Sequence, residues 1–280
     1  MKLLAVVSTY FPDLEELEWN ILTYLPWVDY LIIWENTAKE KSNIEKLISK
    51  LNNSKIEIRT TGKNEFLAFP FNECIKWAKK QGFTHILTMD QDSKYDDKQF
   101  EIFKKLIQEN DSDEIAIYAS TKNQSHKKPE KMIDIDNAIT SGSVYNLNIF
   151  NKIGYFSEDF LIYMMDIEFG FRVKKNGFRI VSFPEICLNH KAGYALKSST
   201  GLVINNYSAQ STYYIIRNTI LTWQLYPENY TVIDKLSFIR YKVIYRILKL
   251  VLEEDSFLKF RAILIALVHG IFRKSGRYDL

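Results

Sequence analysis

Thr84-His85-Ile86-Leu87-Thr88-Met89-Asp90-Gln91-Asp92-Ser93 is an apolar run that stops at two carboxylates flanking one residue. In open α/β sheets, side chains just past the carboxyl ends of strands line the crevice where ligands bind. Two acidic groups at such a place can hold a hard divalent cation, whose ligands are chiefly oxygens. The same Asp-x-Asp also suits a turn or a helix N-cap, so its neighbours have to decide.

Outward from this stretch, strand and helix signals alternate. Leu3–Ser8, Tyr30–Trp34, Ile56–Thr60, Ile86–Met89 and Ile115–Ala119 read as strands. Leu14–Leu25, Ile44–Leu51, Phe71–Lys80 and Lys98–Gln108 read as the helices between them. Such a rhythm predicts an α/β fold with a mostly parallel central sheet flanked by helices. Thr121–Glu130 is a polar excursion that reads as a solvated loop. Ala138–Tyr145 reads as a strand with a small-residue kink, where Gly142 would let a ligand approach the backbone. From Asp166 a short helix follows, with lysines in its last turn and Gly177 as its stop.

The chain has 280 residues, enough for one large α/β domain or one domain with an appendage. A formal charge of only +3 gives no nucleic-acid footprint over the whole molecule. Cys74 and Cys187 lie far apart with no ligand spacing, which fits reduced thiols of a cytoplasmic protein. Leu3–Val7 resembles the start of a signal peptide. Pro12, Asp13, Glu15 and Glu16 follow too soon, however, and the run reads as a buried first strand.

Five segments in order carry a resemblance: Val7-Ser8-Thr9-Tyr10, Met89-Asp90-Gln91-Asp92-Ser93, Thr140-Ser141-Gly142-Ser143, Asp166-Ile167-Glu168-Phe169 with Arg172 and then His190, and Tyr214-Ile215-Ile216-Arg217-Asn218. On these the chain resembles family two glycosyltransferases of the GT-A nucleotide-diphospho-sugar transferase fold, in particular the rhamnosyltransferase-like branch that extends bacterial surface polysaccharides. Two departures stand out. Glu35-Asn36 replaces the usual Asp-Asn after the second strand, and Lys63-Asn64-Glu65-Phe66 replaces the usual Asn-x-Gly after the third. Both concern donor binding and leave the identity of nucleotide and sugar open.

The resemblance implies a divalent metal, Mg²⁺ or Mn²⁺, between Asp92 and the donor's diphosphate, with His190 as a further ligand and Asp90 on the ribose or on the metal through water. An exposed or structurally hydrogen-bonded His190 is the competing explanation. Asp166 aligns with the base that deprotonates the acceptor hydroxyl, although N-capping of its own helix is also open. Metal-assisted departure with one-sided attack is a single displacement, so the configuration inverts. Glu168 is expected to brace Arg172 at i+4. Thr9, Tyr10, Glu35 and Gln91 would face the nucleotide sugar, with packing at the strand end as the plainer account of Tyr10 and Phe11. Arg217 would grip a diphosphate through its planar fork. The Gly/Ser-containing stretch between His190 and Tyr207 reads as a lid over the donor.

The expected organisation is a catalytic domain over residues 1–225 and a basic amphipathic helical tail over 226–280. Phe238, Tyr241, Ile244, Tyr245 and Leu248 recur at helical spacing among Arg240, Lys242, Arg246 and Lys249. The apolar run Ala262–Val268 is too short to cross a bilayer. This pattern suits an anionic membrane surface at the inner face of the cell membrane. Helices packed on the domain, or a homodimer interface, are the alternatives. The expectation is therefore a peripheral, metal-dependent, inverting transferase moving L-rhamnose from dTDP-rhamnose to a polyprenyl-diphosphate-linked saccharide. A UDP-hexose-dependent galactosyl or glucosyl transferase, or a catalytically silent membrane scaffold, stands beside it.

Overall fold

The computed structural model describes residues 1–96, 98–121, 131–190, 195–197, 203–205 and 207–279. Most of the polar excursion after Thr121, and most of the stretch expected to form a lid, lie outside the described residues. The elements run β1 (Leu3–Thr9), α1 (Leu14–Leu22), β2 (Tyr30–Glu35), α2 (Ile44–Leu51), β3 (Ile56–Arg59), α3 (Ala68–Lys80), β4 (His85–Asp90), β5 (Ser93–Tyr95), α4 (Gln99–Asn110) and β6 (Ile115–Thr121). They continue with β7 (Ile133–Asp134), β8 (Ser143–Asn146), α5 (Ile149–Ile153), α6 (Met165–Lys175), β9 (Arg179–His190), β10 (Ala195–Lys197), β11 (Val203–Asn205), α7 (Ala209–Leu225), α8 (Val232–Phe238), α9 (Tyr245–Lys249) and α10 (Ser256–Ile271). Two compact units are formed, one of Met1–Phe156 with Phe169–Lys191, the other of Ser157–Glu168 with Ala192–Leu280.

The first unit is built on a nine-stranded sheet in the order β3-β2-β1-β4-β8-β6-β9-β5, with β7 also paired to β9. β3, β2, β1 and β4 are mutually parallel, as are β6 and β9. β8 inserts antiparallel between β4 and β6. All seven residues of β1 are buried, as an apolar run covered on both faces requires. One core cluster joins these strands to Leu17 and Ile21 of α1, Ile44 and Leu47 of α2, and Phe100, Phe103 and Ile107 of α4.

Several element ends differ from the sequence expectation for local reasons. α1 stops at Leu22 because the Thr23 hydroxyl donates to the Asn20 carbonyl at 2.7 Å, and Leu25–Trp27 forms a separate turn that accommodates Pro26. α3 begins at Ala68, so Pro70 falls in the first turn, where a missing N–H costs nothing. β8 starts only at Ser143. The preceding residues turn instead, held by Gly142 N–H to Thr88 O at 2.8 Å and the Ser143 hydroxyl to Ile139 O at 2.6 Å. Gly142 has φ +74, and a Cβ there would lie 2.7 Å from Leu188 Cδ2 and 2.8 Å from Ser120 Oγ. What approaches this glycine closely is the protein itself, not a ligand.

The largest difference is β9. The sequence from Arg179 to Phe183 reads as a strand with His190 on the loop that follows, yet β9 runs to His190 itself. Its second half pairs antiparallel with the three-residue β5, in the register Tyr95↔Leu188, Lys94↔Asn189, Ser93↔His190. Ile186 and Leu188 point inward while Glu185 and Asn189 are exposed, the alternation of a half-buried strand.

In the second unit α7 packs on α10, and Gly270 permits the close approach, since a Cβ there would sit 2.8 Å from Ile220 Cβ. Tyr278 stacks on Tyr213 with centroids 4.7 Å apart. Glu253 is buried between Arg246 at 3.3 Å and Lys259 at 3.0 Å. No helix among the described residues is long and apolar enough to cross a membrane.

Candidate metal and nucleotide-sugar site

β4 ends at Asp90, the turn carries Asp92, and β5 then lies alongside the end of β9. The pairing of Ser93 with His190 therefore joins residues 97 apart in sequence and sets the imidazole beside both carboxylates. His190 Nδ1 is 3.5 Å from an Asp92 oxygen and 3.9 Å from an Asp90 oxygen. One ligand atom from each of the three residues falls within 4.8 Å of the others. Two carboxylates and one imidazole form a donor set suited to Mg²⁺ or Mn²⁺, and these residues fit a divalent ion.

A hydrogen-bond chain, buried at its middle link, joins the Asp90 backbone to the His190 ring. The Asp90 N–H donates to Ser141 Oγ at 3.1 Å, the Ser141 hydroxyl donates to Ser93 Oγ at 2.8 Å, and Ser93 Oγ lies 2.7 Å from His190 Nδ1. A ligating histidine is oriented by the bond at its other ring nitrogen, so with the Ser93 bond kept at Nδ1 the serine chain would orient His190 for coordination through Nε2. Ser93 and Ser141 belong to quoted motifs, but the sequence assigned them no role. The only available signal was small hydroxyl residues beside a strand end.

A cavity of about 580 Å³ opens beside Asp92 and His190, walled on the far side by Asp13, Glu15, Glu16 and Trp19 of the α1 region. Trp19 is 72% exposed, and its place on this wall had no sequence signal beyond its presence on an amphipathic helix.

The expected nucleotide contacts divide. Tyr10 and Phe11 are half exposed rather than packed away, with rings edge-to-face at 4.7 Å. Their backbone is pinned: Tyr10 N–H donates to Gln91 Oε1 at 2.7 Å, Gln91 Nε2 donates to Tyr10 O at 3.3 Å, and Phe11 N–H donates to Thr37 Oγ1 at 2.7 Å. Gln91 thus braces the loop that presents Tyr10. Thr9 is fully buried, its hydroxyl donating to Trp34 O at 3.2 Å. Glu35 is also buried, accepting from Thr37 N–H at 2.6 Å and Ser42 Oγ at 2.8 Å. Both oxygens are engaged by its own loop. The replacement of the usual Asp by Glu35 is accompanied by this inward anchoring.

Asp166 lies in the first turn of α6, half-buried, with Oδ1 accepting from Ile167 N–H at 2.9 Å. Glu168, expected to brace Arg172, is buried and accepts from the Tyr226 hydroxyl at 2.8 Å. Arg172 donates to the carbonyls of Ile153 and Tyr155, both at 2.8 Å. Arg217, expected on a diphosphate, is wholly buried within the second unit. Nη1 donates to Lys274 O at 3.2 Å and the guanidinium faces the rings of Tyr213 and Tyr214. Burial holds its pKa below the usual arginine value.

No protein-family model matches the chain. Among curated proteins it is similar to dTDP-rhamnosyl transferase RfbF of Shigella flexneri, 26% identical over 243 residues that cover 78% of each chain. Among solved structures it resembles GalNAc-T7 with UDP, GalNAc and Mn²⁺, with a TM-score of 0.60 and 12% identity over 98% of this chain. It also resembles TarS of S. aureus, with a TM-score of 0.51 and 16% identity over 79% of this chain. The chain spans 58% and 39% of those two chains' lengths. The fold is that of the GT-A glycosyltransferases, and the similarity to RfbF supports a glycosyltransferase that uses a nucleotide sugar.

Proposed function

We propose that the chain is a metal-dependent, inverting glycosyltransferase moving L-rhamnose from dTDP-rhamnose to a polyprenyl-diphosphate-linked saccharide at the inner face of the cell membrane. The observation that carries this is the convergence of Asp90, Asp92 and His190 at the carboxyl ends of the strands. A divalent ion, when bound there, supplies positive charge to the departing diphosphate. Asp92 and His190 hold it, with Asp90 beside them and Ser93 and Ser141 fixing their orientation. Tyr10, presented by the pinned loop after β1, offers an exposed ring to the nucleoside. Asp166 takes the proton of the acceptor hydroxyl as its oxygen attacks the anomeric carbon. The bond from that carbon to the diphosphate breaks, its electron pair leaves with the nucleoside diphosphate, and the configuration inverts.

Rhamnose as the sugar is supported by the name of the RfbF relative. Attachment to anionic lipid is supported by the surface of the second unit. Val232, Ile233, Leu236, Leu248, Val251 and Phe257 are exposed there, among Arg240, Lys242, Arg261 and Lys274. The test is turnover of dTDP-rhamnose, UDP-galactose and UDP-glucose with Mg²⁺ or Mn²⁺ by the purified chain. Preferential use of dTDP-rhamnose is expected. Preference for a UDP-hexose replaces the donor, and no turnover of any nucleotide sugar sinks the enzymatic reading.

A further inference from the structure

We infer that Asn218 is a positioning residue for the acceptor base: from α7 it holds the turn 160–164 in a left-handed conformation and so sets where Asp166 stands. The inference rests on Asp166 being that base.

Leu161, Tyr163 and Met164 have φ of 58°, 58° and 60°. In this region the Cβ of an L-residue crowds the following carbonyl, and glycine or asparagine is the usual occupant. Three bulky residues of this kind within four positions persist only where surrounding contacts hold them. Here one side chain reaches three of the turn's carbonyls. Asn218 is fully buried, and its Nδ2 donates to Phe160 O at 2.8 Å, Ile162 O at 2.7 Å and Tyr163 O at 2.9 Å. A primary amide has two N–H groups, so the three carbonyls share them. A hydroxyl offers one donor, and a carboxylate none.

The clamped turn leads straight into the catalytic segment. Met164 O accepts the first helical bond of α6, from Glu168 N–H at 2.9 Å, and Asp166 lies between those two residues. Phe160 and Met165 are both buried and anchor the two ends of the turn. On the far side of Asp166, Glu168 is held by Tyr226, the residue that follows α7. α7 and the residue that caps it thus hold the chain on both sides of the base. Displacement of a reacting group by about 1 Å costs about 10²-fold in rate, which gives this hold its catalytic weight.

The test uses the full chain with dTDP-rhamnose as donor and alkyl-diphosphate-linked saccharides as acceptors, beside Asp166→Asn. Asn218→Ala is expected to lower kcat about 10²-fold with the donor KM within twofold of wild type. Adding Leu161→Gly and Met164→Gly, where glycine takes the left-handed conformation freely, is expected to restore about tenfold of that loss. A residue of purely structural value would lower the melting temperature and show no such rescue. If Asn218→Ala does not fold, Asn218→Ser, which keeps one donor, is read in its place, with a smaller fall in kcat expected. Wild-type kcat in the folded Asn218 variant, with Asp166→Asn inactive, overturns the inference alone. Wild-type transfer by Asp166→Asn overturns the base assignment and the inference with it.

Discussion

Replacing Ser141 by alanine removes one oxygen, 2% exposed as a residue, from the middle of the chain that joins Asp90 N–H to Ser93 and His190. Two hydrogen bonds are lost, at 3.1 and 2.8 Å, the second of them buried. The cost to the metal-free fold is about 1–3 kcal/mol, the usual worth of a buried polar group losing its partner. The cost to the metal site is separate. The turn bearing Asp90 and the imidazole of His190 both lose their lateral support, and supporting groups of this kind are worth about 10- to 100-fold in affinity. Calorimetric titration of Mn²⁺ into wild type, Ser141→Ala and Asp92→Asn, with urea denaturation of the same metal-free preparations, measures both. Ser141→Ala should bind Mn²⁺ about 10- to 100-fold more weakly, and Asp92→Asn should lose binding. Folded Ser141→Ala with affinity within threefold of wild type would show that the serine chain does not orient the ligands.

Asp92→Asn should also abolish metal-dependent binding of dTDP while its melting temperature stays near wild type, and retention of that binding removes Asp92 as a ligand. Gly142→Ala combines a left-handed φ of +74 with contacts of 2.7 and 2.8 Å, and should cost about 2–4 kcal/mol by urea denaturation. A loss under about 1 kcal/mol would mean that the turn shifts freely. Changing Arg240, Lys242 and Lys249 to Glu should release the protein from anionic vesicles, at about 1 kcal/mol per basic residue near the surface. Arg246 is left intact because it is paired to buried Glu253. A lower melting temperature with unchanged co-sedimentation would instead mark this face as a packing or dimer surface. Burial holds the His85 pKa below its ordinary value, partly opposed by Asp111 at 3.2 Å. The unfolded chain then binds the proton more readily, so this contribution is full above about pH 6.5 and is lost as pH falls through that value towards the lower folded one. His85→Gln should show a flatter decline in urea midpoint between about pH 7 and 5, and parallel curves would exclude His85 as the source.

The parts of this molecule legible in the sequence are those whose signal is local. α2 is expected at Ile44–Leu51 and found there, and the apolar runs of β1, β2 and β4 lie within a residue or two of their expected ends. That Asp90, Asp92 and His190 belong together was legible through resemblance, because residue type carries the chemistry. What a side chain already spends its polar atoms on was not legible. Thr9, Glu35 and Arg217 have the right chemistry for a nucleotide diphosphate, and all three are buried against their own surroundings. β5 is only Ser-Lys-Tyr, too short and polar to read as a strand, so the pairing that carries His190 to the carboxylates was hidden with it. Asn218 was visible as a letter in a motif. Its work depends on backbone angles 54 to 57 residues away, which no periodicity encodes.

β5 terminates the sheet at one edge, and its pairing with β9 closes the candidate metal site. Because the candidate ligands stand on both sides of that seam, an ion bound there would act as a rivet, and the seam's resistance to opening would depend on metal concentration. At a hundred times its dissociation constant, an ion that binds only the closed form adds about 2.7 kcal/mol. During synthesis the seam cannot close until residue 190 has emerged, nearly a hundred residues after the aspartates, so a capacity to hold metal there would appear late and at once. Exposed strand edges invite pairing with other chains. Depletion of the ion would therefore loosen an edge as well as silence a site, and metal-starved protein should be the form that proteases and aggregation reach first.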